Sequence, residues 1–302
     1  LVDLTVFTPD PATTNLPGLT VRPVSDFVVN HNEFDLPLYQ MGNSDQHDWV
    51  YAMLLRYPGV VVLHDYFLHH FIRHRTVGRG EWVAYGRELA YARGKDGRKL
   101  ARAIHYEGQV PPLFEEPLNQ RLIDASLGLI IHSHYAAERA RHYRPDLPLA
   151  VVPALIEPRP GRSLRDRLDL PDDAVLFGSF GQITTEKRID AALRAFRDVL
   201  ERYPDARYLL VGDPQPDVDL GGLVTQLGVG QAVARVGYVE NLDEFADWIS
   251  TVDVVVNLRQ PTVGETSAVA LRAMAAARPL IAYDHGWYSE IPDAAAIKVP
   301  PD

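Results

Sequence analysis

Alternating apolar and polar runs in the second half of the chain predict strands joined by amphipathic helices. Ala174–Phe180, Tyr208–Val211 and Val252–Leu258 are apolar runs with the length of buried strands. Between the first two lies Glu186–Tyr203, which predicts a helix. Its apolar face is formed by Ile189, Ala192, Leu193, Phe196, Leu200 and Tyr203. Strands that alternate with helices predict βαβ units of a parallel sheet.

The most informative of these units spans Pro261 to Tyr283. A turn marked by Pro261 and Gly264 follows an apolar strand, a helix of small residues begins near Ser267, and Leu280–Tyr283 predicts the next strand. Such turns lie at the carboxyl ends of parallel strands, where ligands bind. The unpaired N–H groups of a helix start favour a phosphate. Glu265, being anionic, is better suited to accept hydrogen bonds from sugar hydroxyls beside that phosphate.

The first half carries a second series of strands and helices. Strand patterns occur at Leu4–Phe7, Leu19–Val21, Leu38–Met41, Val60–Leu63, Gly128–Ile131 and Leu149–Val152. Helical patterns occur at His47–Tyr57, across the charged region Phe67–Ala103, at Asn119–Ser126 and at Tyr135–Tyr143. Prolines cluster between residues 153 and 171, around a short charged helix at Ser163–Leu168. We therefore predict an N-terminal domain, residues 1–156, and a C-terminal domain, residues 157–302, both doubly wound.

Composition narrows the class of protein. The 302 residues carry a formal net charge of −10, which argues against broad nucleic-acid binding. The absence of cysteine excludes disulfides and thiolate ligands. No apolar run is long enough for a membrane span and no signal peptide is seen, although the chain starts at Leu1 rather than Met. A cytoplasmic location is the expectation.

The helical region before residue 103 is basic. It contains Arg87, Arg93, Lys95, Arg98, Lys99 and Arg102. A solvated helix face explains such charges, and a patch that binds an acceptor or the inner membrane surface is the alternative. Peripheral membrane contact is therefore left open.

The first motif with chemical potential is a glycine turn, Gly178 to Gln182, followed by Glu186-Lys187-Arg188. Gly181 and Gln182 lie at a strand end, and glycine lets the backbone approach a ligand closely. Lys187 and Arg188 would place cations beside a diphosphate. An ordinary turn with surface charges is the other interpretation. The third glycine of a dinucleotide fingerprint is missing.

A second motif combines Gly264-Glu265-Thr266-Ser267 with Arg272 in the helix that follows. The N–H groups of Thr266, Ser267 and Ala268 would face the ligand. Arg272 either contacts a nucleotide or simply reaches out of a buried helix, and the sequence does not decide between these.

Histidines mark the end of one N-terminal strand. His64-Asp65 follows Val60–Leu63, and His69, His70 and His74 come next. His70 and His74 have a spacing that fits a metal, but no carboxylate completes a recognised pattern, so we predict no metal site. We expect His64 to contact substrate from the opposite side of an interdomain cleft.

Together these motifs resemble the GT-B glycosyltransferases, and specifically the large retaining family 4. Gly178 to Arg188 is similar to the family's glycine turn with its phosphate-binding lysine, here Lys187. Pro261, Glu265, Ala273-Met274 and Pro279 keep the order of the donor motif, and Asp284-His285-Gly286 with Glu290 resembles the turn after it. His132-Ser133 and Val152-Pro153 match positions near the end of the first domain.

Three features depart from the family pattern. The family's glycine-rich first strand and turn of the N-terminal domain are not visible. Arg272 stands in place of the second motif glutamate, which binds ribose in the family, and its spacing from Glu265 is one residue short. Gln182 stands where the family usually has arginine. The pattern is that of a divergent branch.

The resemblance implies two Rossmann-like domains facing across a cleft and transfer of a sugar with retention, without metal or cofactor. The donor would be a nucleotide diphosphate sugar held by Gly181, Gln182, Lys187, Arg188, Gly264–Ala268 and Arg272. His64, Lys187 and Glu265 would act in catalysis. A saccharide or lipid-linked saccharide is the expected acceptor. A non-catalytic nucleotide-sugar binder and a GT-B nucleotide-sugar isomerase are the alternatives.

Overall fold

Two parallel sheets, each covered by helices, organise the chain in a computed structural model that describes residues 2–14, 16–168, 170 and 173–301. The α/β architecture expected from the sequence is confirmed. Residues 152–175 connect the two sheets, and within them a 3-10 turn at Arg165–Arg167 replaces the expected helix at Ser163–Leu168.

The C-terminal sheet has six parallel strands. They are β7 (Leu176–Phe180), β8 (Arg207–Val211), β9 (Val233–Val236), β10 (Val254–Val256), β11 (Leu280–Tyr283) and β12 (Ala296–Val299). The spatial order is β9-β8-β7-β10-β11-β12. In register, Leu176 to Phe180 of β7 pair with Arg207 to Val211 of β8. The chain winds outward in both directions from the β7–β10 pair, which is the arrangement of a doubly wound Rossmann sheet.

Helices cover both faces of this sheet. They are α7 (Ile189–Leu200), α8 (Leu220–Leu227), α9 (Leu242–Thr251) and α10 (Ala268–Ala275). One core contains Leu193 and Phe196 of α7, and the core on the other face contains Trp248 of α9 and Ala273 of α10. The small buried residues of α10, Ala270 and Ala273, pack in the same core as Val255 of β10 and Leu280 of β11.

The helix expected over residues 186–203 is shorter at both ends. Thr185–Lys187 form a 3-10 turn, and α7 begins after Arg188, whose left-handed φ of 49° interrupts a continuous helix. Tyr203 lies beyond the helix end and is 63% exposed, so its assignment to the apolar face was wrong. The apolar spacing continues to Tyr203, although the helix ends at Leu200.

The N-terminal sheet has four parallel strands in the order β3-β4-β5-β6. These strands are β3 (Leu38–Met41), β4 (Val60–Leu63), β5 (Gly128–Ile131) and β6 (Leu149–Val151). Helices α2 (Asp48–Arg56), α3 (His69–Thr76), α5 (Gln120–Ala125) and α6 (His134–Tyr143) pack around it. Separate from this sheet, β1 (Thr5–Thr8) and β2 (Thr20–Pro23) pair in parallel, and α1 (Val24–Asn30) follows them.

The basic part of the charged helical region folds as a helical hairpin. α4 spans Trp82–Glu107, but Gly94 has φ 57° and ψ −124°, so the chain reverses there. The two arms pack antiparallel: the rings of Trp82 and His105 lie 4.3 Å apart, and Gly97 lies directly against the backbone of Leu89. Among the described residues, no helix has both the length and the apolar composition to span a membrane.

Candidate functional site

The crevice that can hold a ligand lies where the loops after β7 and β10 part. These two strands are neighbours at the centre of the sheet, and their helices lie on opposite faces. In open α/β sheets this switch point, outside the carboxyl ends of the strands, is the usual ligand site. Gly181 and Gln182 follow β7, and the turn from Asn257 to Ser267 follows β10. The two sequence motifs thus meet at one place.

The glycine turn brings Lys187 back over the end of β7. Gly181 has a φ of 79°, and a Cβ added there would lie 2.7 Å from the Lys187 Nζ atom. Lys187 Nζ donates a hydrogen bond of 2.7 Å to the carbonyl of Phe180, the last residue of β7. Only glycine leaves room for the ammonium at this position. The sequence prediction that Lys187 belongs to this turn agrees with its position.

The surroundings of Lys187 lower its pKa to near neutral pH. Burial, reinforced by the guanidinium of Arg259, lowers the pKa of Lys187 to about 7. An anion placed against Nζ would supply a counter-charge and so raise the pKa of Lys187 again.

Arg188 and Gln182 lie at the rim of the crevice. Arg188 donates from Nε to Asp190 Oδ1 at 3.2 Å and from Nη1 to Gln260 Oε1 at 3.5 Å. The second contact joins the loop after β7 to the loop after β10. Gln182 is exposed.

Glu265 is held inside its own turn. Its Oε2 atom accepts hydrogen bonds from Thr262 Oγ1 at 2.7 Å and from the Val263 N–H at 2.9 Å. Its Oε1 atom forms an ion pair with Nε of Arg259. The carboxylate therefore braces the turn and neutralises Arg259, and its role toward a sugar stays a prediction.

The start of α10 presents backbone donors, as expected. Ser267 is the N-cap: its Oγ accepts from the Ala270 N–H at 3.2 Å and from Asn257 Nδ2 at 2.9 Å. Within the part of the chain that the structure describes, the N–H groups of Thr266, Ser267 and Ala268 have no acceptor. They remain available to a phosphate at the positive end of the helix dipole.

Arg259 is a candidate that sequence reasoning missed. Its side chain is 24% exposed, it pairs with Glu265, and its charge acts on Lys187 and on Asp65 of the other domain. The available signal was its position directly after the apolar run of β10, the same kind of position that singled out Gln182 after β7. Arg259 therefore places a guanidinium beside Lys187 and Glu265 at this crevice.

Arg272 does not join this group. It lies in the second half of α10, donates to the Ala268 carbonyl at 3.4 Å, and lines a crevice with Ile156 and Glu157. Buried Ala270 and Ala273 occupy the inner face of α10, so Arg272 points away from the ligand crevice between the loops after β7 and β10.

Two histidines, His64 and His132, lie at the carboxyl edge of the N-terminal sheet. His64 directly follows β4, and its ring contacts Gln40 at 2.8 Å and His132 at 3.2 Å. Asp65 accepts a hydrogen bond of 2.8 Å from the Asn43 N–H, and burial raises the pKa of its carboxyl group. The sequence predicted the position of His64 at this edge. Its contact with His132 follows from the pairing of β4 with β5, which the sequence did not show.

His69 and His70, which the sequence analysis also singled out, have different surroundings. His69 is fully buried between the Glu116 carbonyl and the Tyr85 hydroxyl, and burial lowers its pKa to about 4. His70 lies near Glu186 and Arg259 of the other domain. Among the described residues, no group of three His, Asp or Glu side chains is arranged to hold a metal.

The turn after β10 docks into the N-terminal domain. The Phe67 N–H donates to the Val263 carbonyl at 2.9 Å, and the buried Val263 side chain packs in the N-terminal core. Both oxygens of Glu290 accept from the first N–H groups of α6, those of His134 and Tyr135. The crevice is thus bounded by both domains.

Comparison with known proteins agrees with this geometry. Residues 174–302 match the family described as glycosyl transferases group 1. This part of the chain is therefore similar to the glycosyl transferases group 1. A D-inositol 3-phosphate glycosyltransferase of Streptomyces avermitilis is 30% identical over 206 residues, which cover 62% of this chain and 44% of that protein. The chain spans less than half the length of the first curated relatives it matches.

Solved structures extend the likeness to the whole chain. Anabaena HepE in complex with UDP-glucose has a TM-score of 0.59 at 17% identity, covering 94% of this chain and 73% of that one. WaaG, a glycosyltransferase involved in lipopolysaccharide biosynthesis, has a TM-score of 0.55 at 13% identity, covering 100% and 79%. At these identities the likeness concerns the fold, and that fold is GT-B.

Proposed function

We propose that this chain transfers a sugar from a nucleoside diphosphate sugar to an acceptor hydroxyl, with retention and without a metal. The observation that carries the proposal is the meeting of Lys187, Arg259 and the free N–H groups of α10 at the switch point of a domain similar to the glycosyl transferases group 1. All three are donors suited to a diphosphate. HepE, whose fold is similar, was solved with UDP-glucose, which makes that donor the first to test.

The leaving diphosphate gains negative charge as the glycosidic bond breaks. Preorganised cations and N–H groups stabilise such charge most when they already stand where it develops. Lys187 and Arg259 would supply this positive charge, which in other enzymes comes from a metal. Lys187, once protonated by the arriving diphosphate, and Arg259 would fit a metal-independent reaction.

Retention by front-face attack fits the state of the nearby carboxylates. Glu265 is paired with Arg259, and Asp65 is hydrogen bonded to Asn43, with a pKa raised by burial. Neither presents the free carboxylate that a covalent glycosyl intermediate requires. We infer that the acceptor attacks from the side on which the diphosphate leaves.

The acceptor would approach from the N-terminal domain. A groove of about 640 Å³ lies there, lined by the rings of Tyr66, Phe67 and Tyr143 and by polar side chains that include Gln120 and Glu138. Aromatic faces with carboxylate and amide acceptors suit a saccharide, either free or lipid-linked. A cytoplasmic position, with the acceptor at a membrane surface, stays a prediction.

A non-catalytic nucleotide-sugar binder is the second candidate. It is favoured by two observations: the engagement of Glu265 in its own turn and the position of Arg272 away from the crevice. A binder would bind UDP-glucose but would not cleave it to UDP, with or without an acceptor.

Calorimetry with UDP and UDP-glucose, followed by single-turnover assays of donor cleavage, tests the proposal. Lys187→Ala should weaken UDP binding by about 1.5 to 3 kcal/mol, the range for hydrogen bonds to charged groups. Lys95→Ala, in the exposed tip of the α4 hairpin, is the control. Unchanged affinity in Lys187→Ala would refute the diphosphate site, and binding without cleavage would favour the binder.

Glu265→Gln separates two roles on the same protein. Loss of kcat/KM for the sugar nucleotide, with unchanged affinity for UDP, would support a sugar contact. A lower melting temperature with equal loss for both ligands would assign Glu265 to bracing the turn.

A further inference from the structure

A row of hydrogen-bonded groups runs along the carboxyl edge of the N-terminal sheet. Each of the four adjacent strands contributes one group: Gln40 from β3, and His64, His132 and Val152 from the positions directly after β4, β5 and β6. His132 Nδ1 lies 2.8 Å from the Val152 carbonyl oxygen, and its Nε2 lies 3.2 Å from His64 Nδ1. His64 Nε2 lies 2.8 Å from Oε1 of the Gln40 side-chain amide, and the two ends of that amide can be exchanged by a flip.

The fixed end of the row determines where the protons lie. A carbonyl oxygen only accepts, so His132 Nδ1 must carry a proton and donate it to Val152. The Nε2 atom of neutral His132 is then an acceptor, and His64 Nδ1 must donate to it. This leaves the Nε2 atom of neutral His64 with a free lone pair. After a flip of the Gln40 amide, its NH₂ group can donate to that lone pair. Without the flip, its oxygen can instead accept from a protonated His64 Nε2.

The surroundings favour the neutral form of His64. Burial lowers the pKa of His64, and His132 and His47 lower it further. Asp65, the nearest carboxylate along the chain, is engaged by the Asn43 N–H. Two imidazoles in direct contact do not both carry a charge, since like charges at this distance repel strongly.

We propose that His132 is a positioning residue: it holds His64 in the Nδ1–H tautomer, so that the His64 Nε2 lone pair accepts a hydrogen bond from a substrate hydroxyl in the interdomain cleft. The entering hydroxyl replaces the Gln40 amide. The identity of that hydroxyl, as part of the sugar donor or acceptor, rests on the proposed function. The tautomer does not.

Long-range ¹H–¹⁵N correlation spectra of the ring nitrogens test the tautomer directly. In the wild-type protein at pH 8, His64 should show a protonated Nδ1 and an unprotonated Nε2. His132→Phe keeps an aromatic ring but removes the Nε2 acceptor, so His64 should move toward the Nε2–H tautomer. His132→Gln places an amide oxygen near the position of Nε2 and should restore the wild-type pattern. His134→Phe, an exposed neighbour, is the control.

An Nε2–H tautomer in the wild-type protein, or an unchanged tautomer in His132→Phe, would overturn the proposal. The wild-type spectrum decides even if a variant fails to fold. Where transfer is detected, His132→Phe should lower kcat/KM about threefold to tenfold, the effect of one neutral hydrogen bond, and His132→Gln should recover it. An Nδ1–H tautomer in a protein without transfer activity would refute the proposed function and leave the positioning intact.

Discussion

Lys187 shows how one residue acquires a function from its surroundings. It is one of only four lysines in the chain, and the glycine turn places its ammonium against the Phe180 carbonyl with Arg259 nearby. Burial and Arg259 lower its pKa from 10.5 to about 7. Because the folded state then binds fewer protons than the unfolded state, the free energy of unfolding rises with pH between about 7 and the ordinary lysine pKa.

Ligand binding should have the opposite dependence on pH. A diphosphate favours protonated Lys187, so the affinity for UDP-glucose should fall as pH rises above about 7, by up to tenfold per pH unit. Calorimetry in buffers of different ionisation enthalpy should detect proton uptake on binding. Lys187→Met should bind weakly and without this uptake, while Lys95→Met should behave as wild type. An affinity that stays constant from pH 7 to 9 would contradict the assignment.

At the scale of elements, the α4 hairpin contains two glycines with different surroundings. A Cβ added at Gly97 would lie 1.8 Å from the Leu89 carbonyl oxygen, whereas one added at Gly86 would lie 3.6 Å from the Ala101 Cβ, an ordinary contact. Close approach of the two arms therefore requires glycine at 97 but not at 86. The hairpin turns a basic stretch into a compact projection on the N-terminal domain.

Alanine substitutions at these two positions should have opposite effects. Gly97→Ala should lower the free energy of unfolding by roughly 1 to 3 kcal/mol, because the arms must separate. Gly86→Ala should raise it by roughly 0.4 to 1 kcal/mol, since alanine reduces the entropy of the unfolded chain at a helical position. Urea unfolding measures both, and the same sign for the two variants would disprove the hairpin packing.

At the scale of the whole molecule, the turn that carries Glu265 also joins the domains. Gly264 has a φ of 72°, and a Cβ there would lie 2.7 Å from the Tyr66 Cβ of the N-terminal domain. Next to it, Val263 packs into the N-terminal core and bonds to Phe67. The turn that shapes the ligand crevice is therefore held in place by the opposite domain.

Gly264→Ala tests this coupling against a matched control. Gly80 has a similar φ of 77°, but no atom lies within 4 Å of an added Cβ. Gly80→Ala should cost only the left-handed backbone strain, about 1 to 2 kcal/mol. Gly264→Ala should cost roughly 1 to 3 kcal/mol more, through overlap with Tyr66, and should also weaken UDP-glucose binding. Equal losses of stability, with unchanged binding in both variants, would show that the contact does not shape the crevice.

The sequence by itself determined the local elements and much of the candidate site. Apolar runs and helical patterns are set by neighbouring residues, so the strands Leu38–Met41, Val60–Leu63 and Leu280–Tyr283 and the helix start near Ser267 were predictable. The motifs around Lys187 and Glu265 were readable because each follows a strand directly, at the edge where parallel sheets bind ligands.

Tertiary structure alone decided which groups meet. The strand order puts β7 beside β10, which brings Lys187 close to Arg259, 72 positions further along the chain. The same ordering aligns His64 with His132, and the chain reversal at Gly94 pairs the two arms of the charged helical region. Arg272 was matched by sequence order, but the rotation of α10 points it elsewhere. Local sequence fixes the conformation of a segment, whereas packing between distant segments fixes the direction and partners of its side chains.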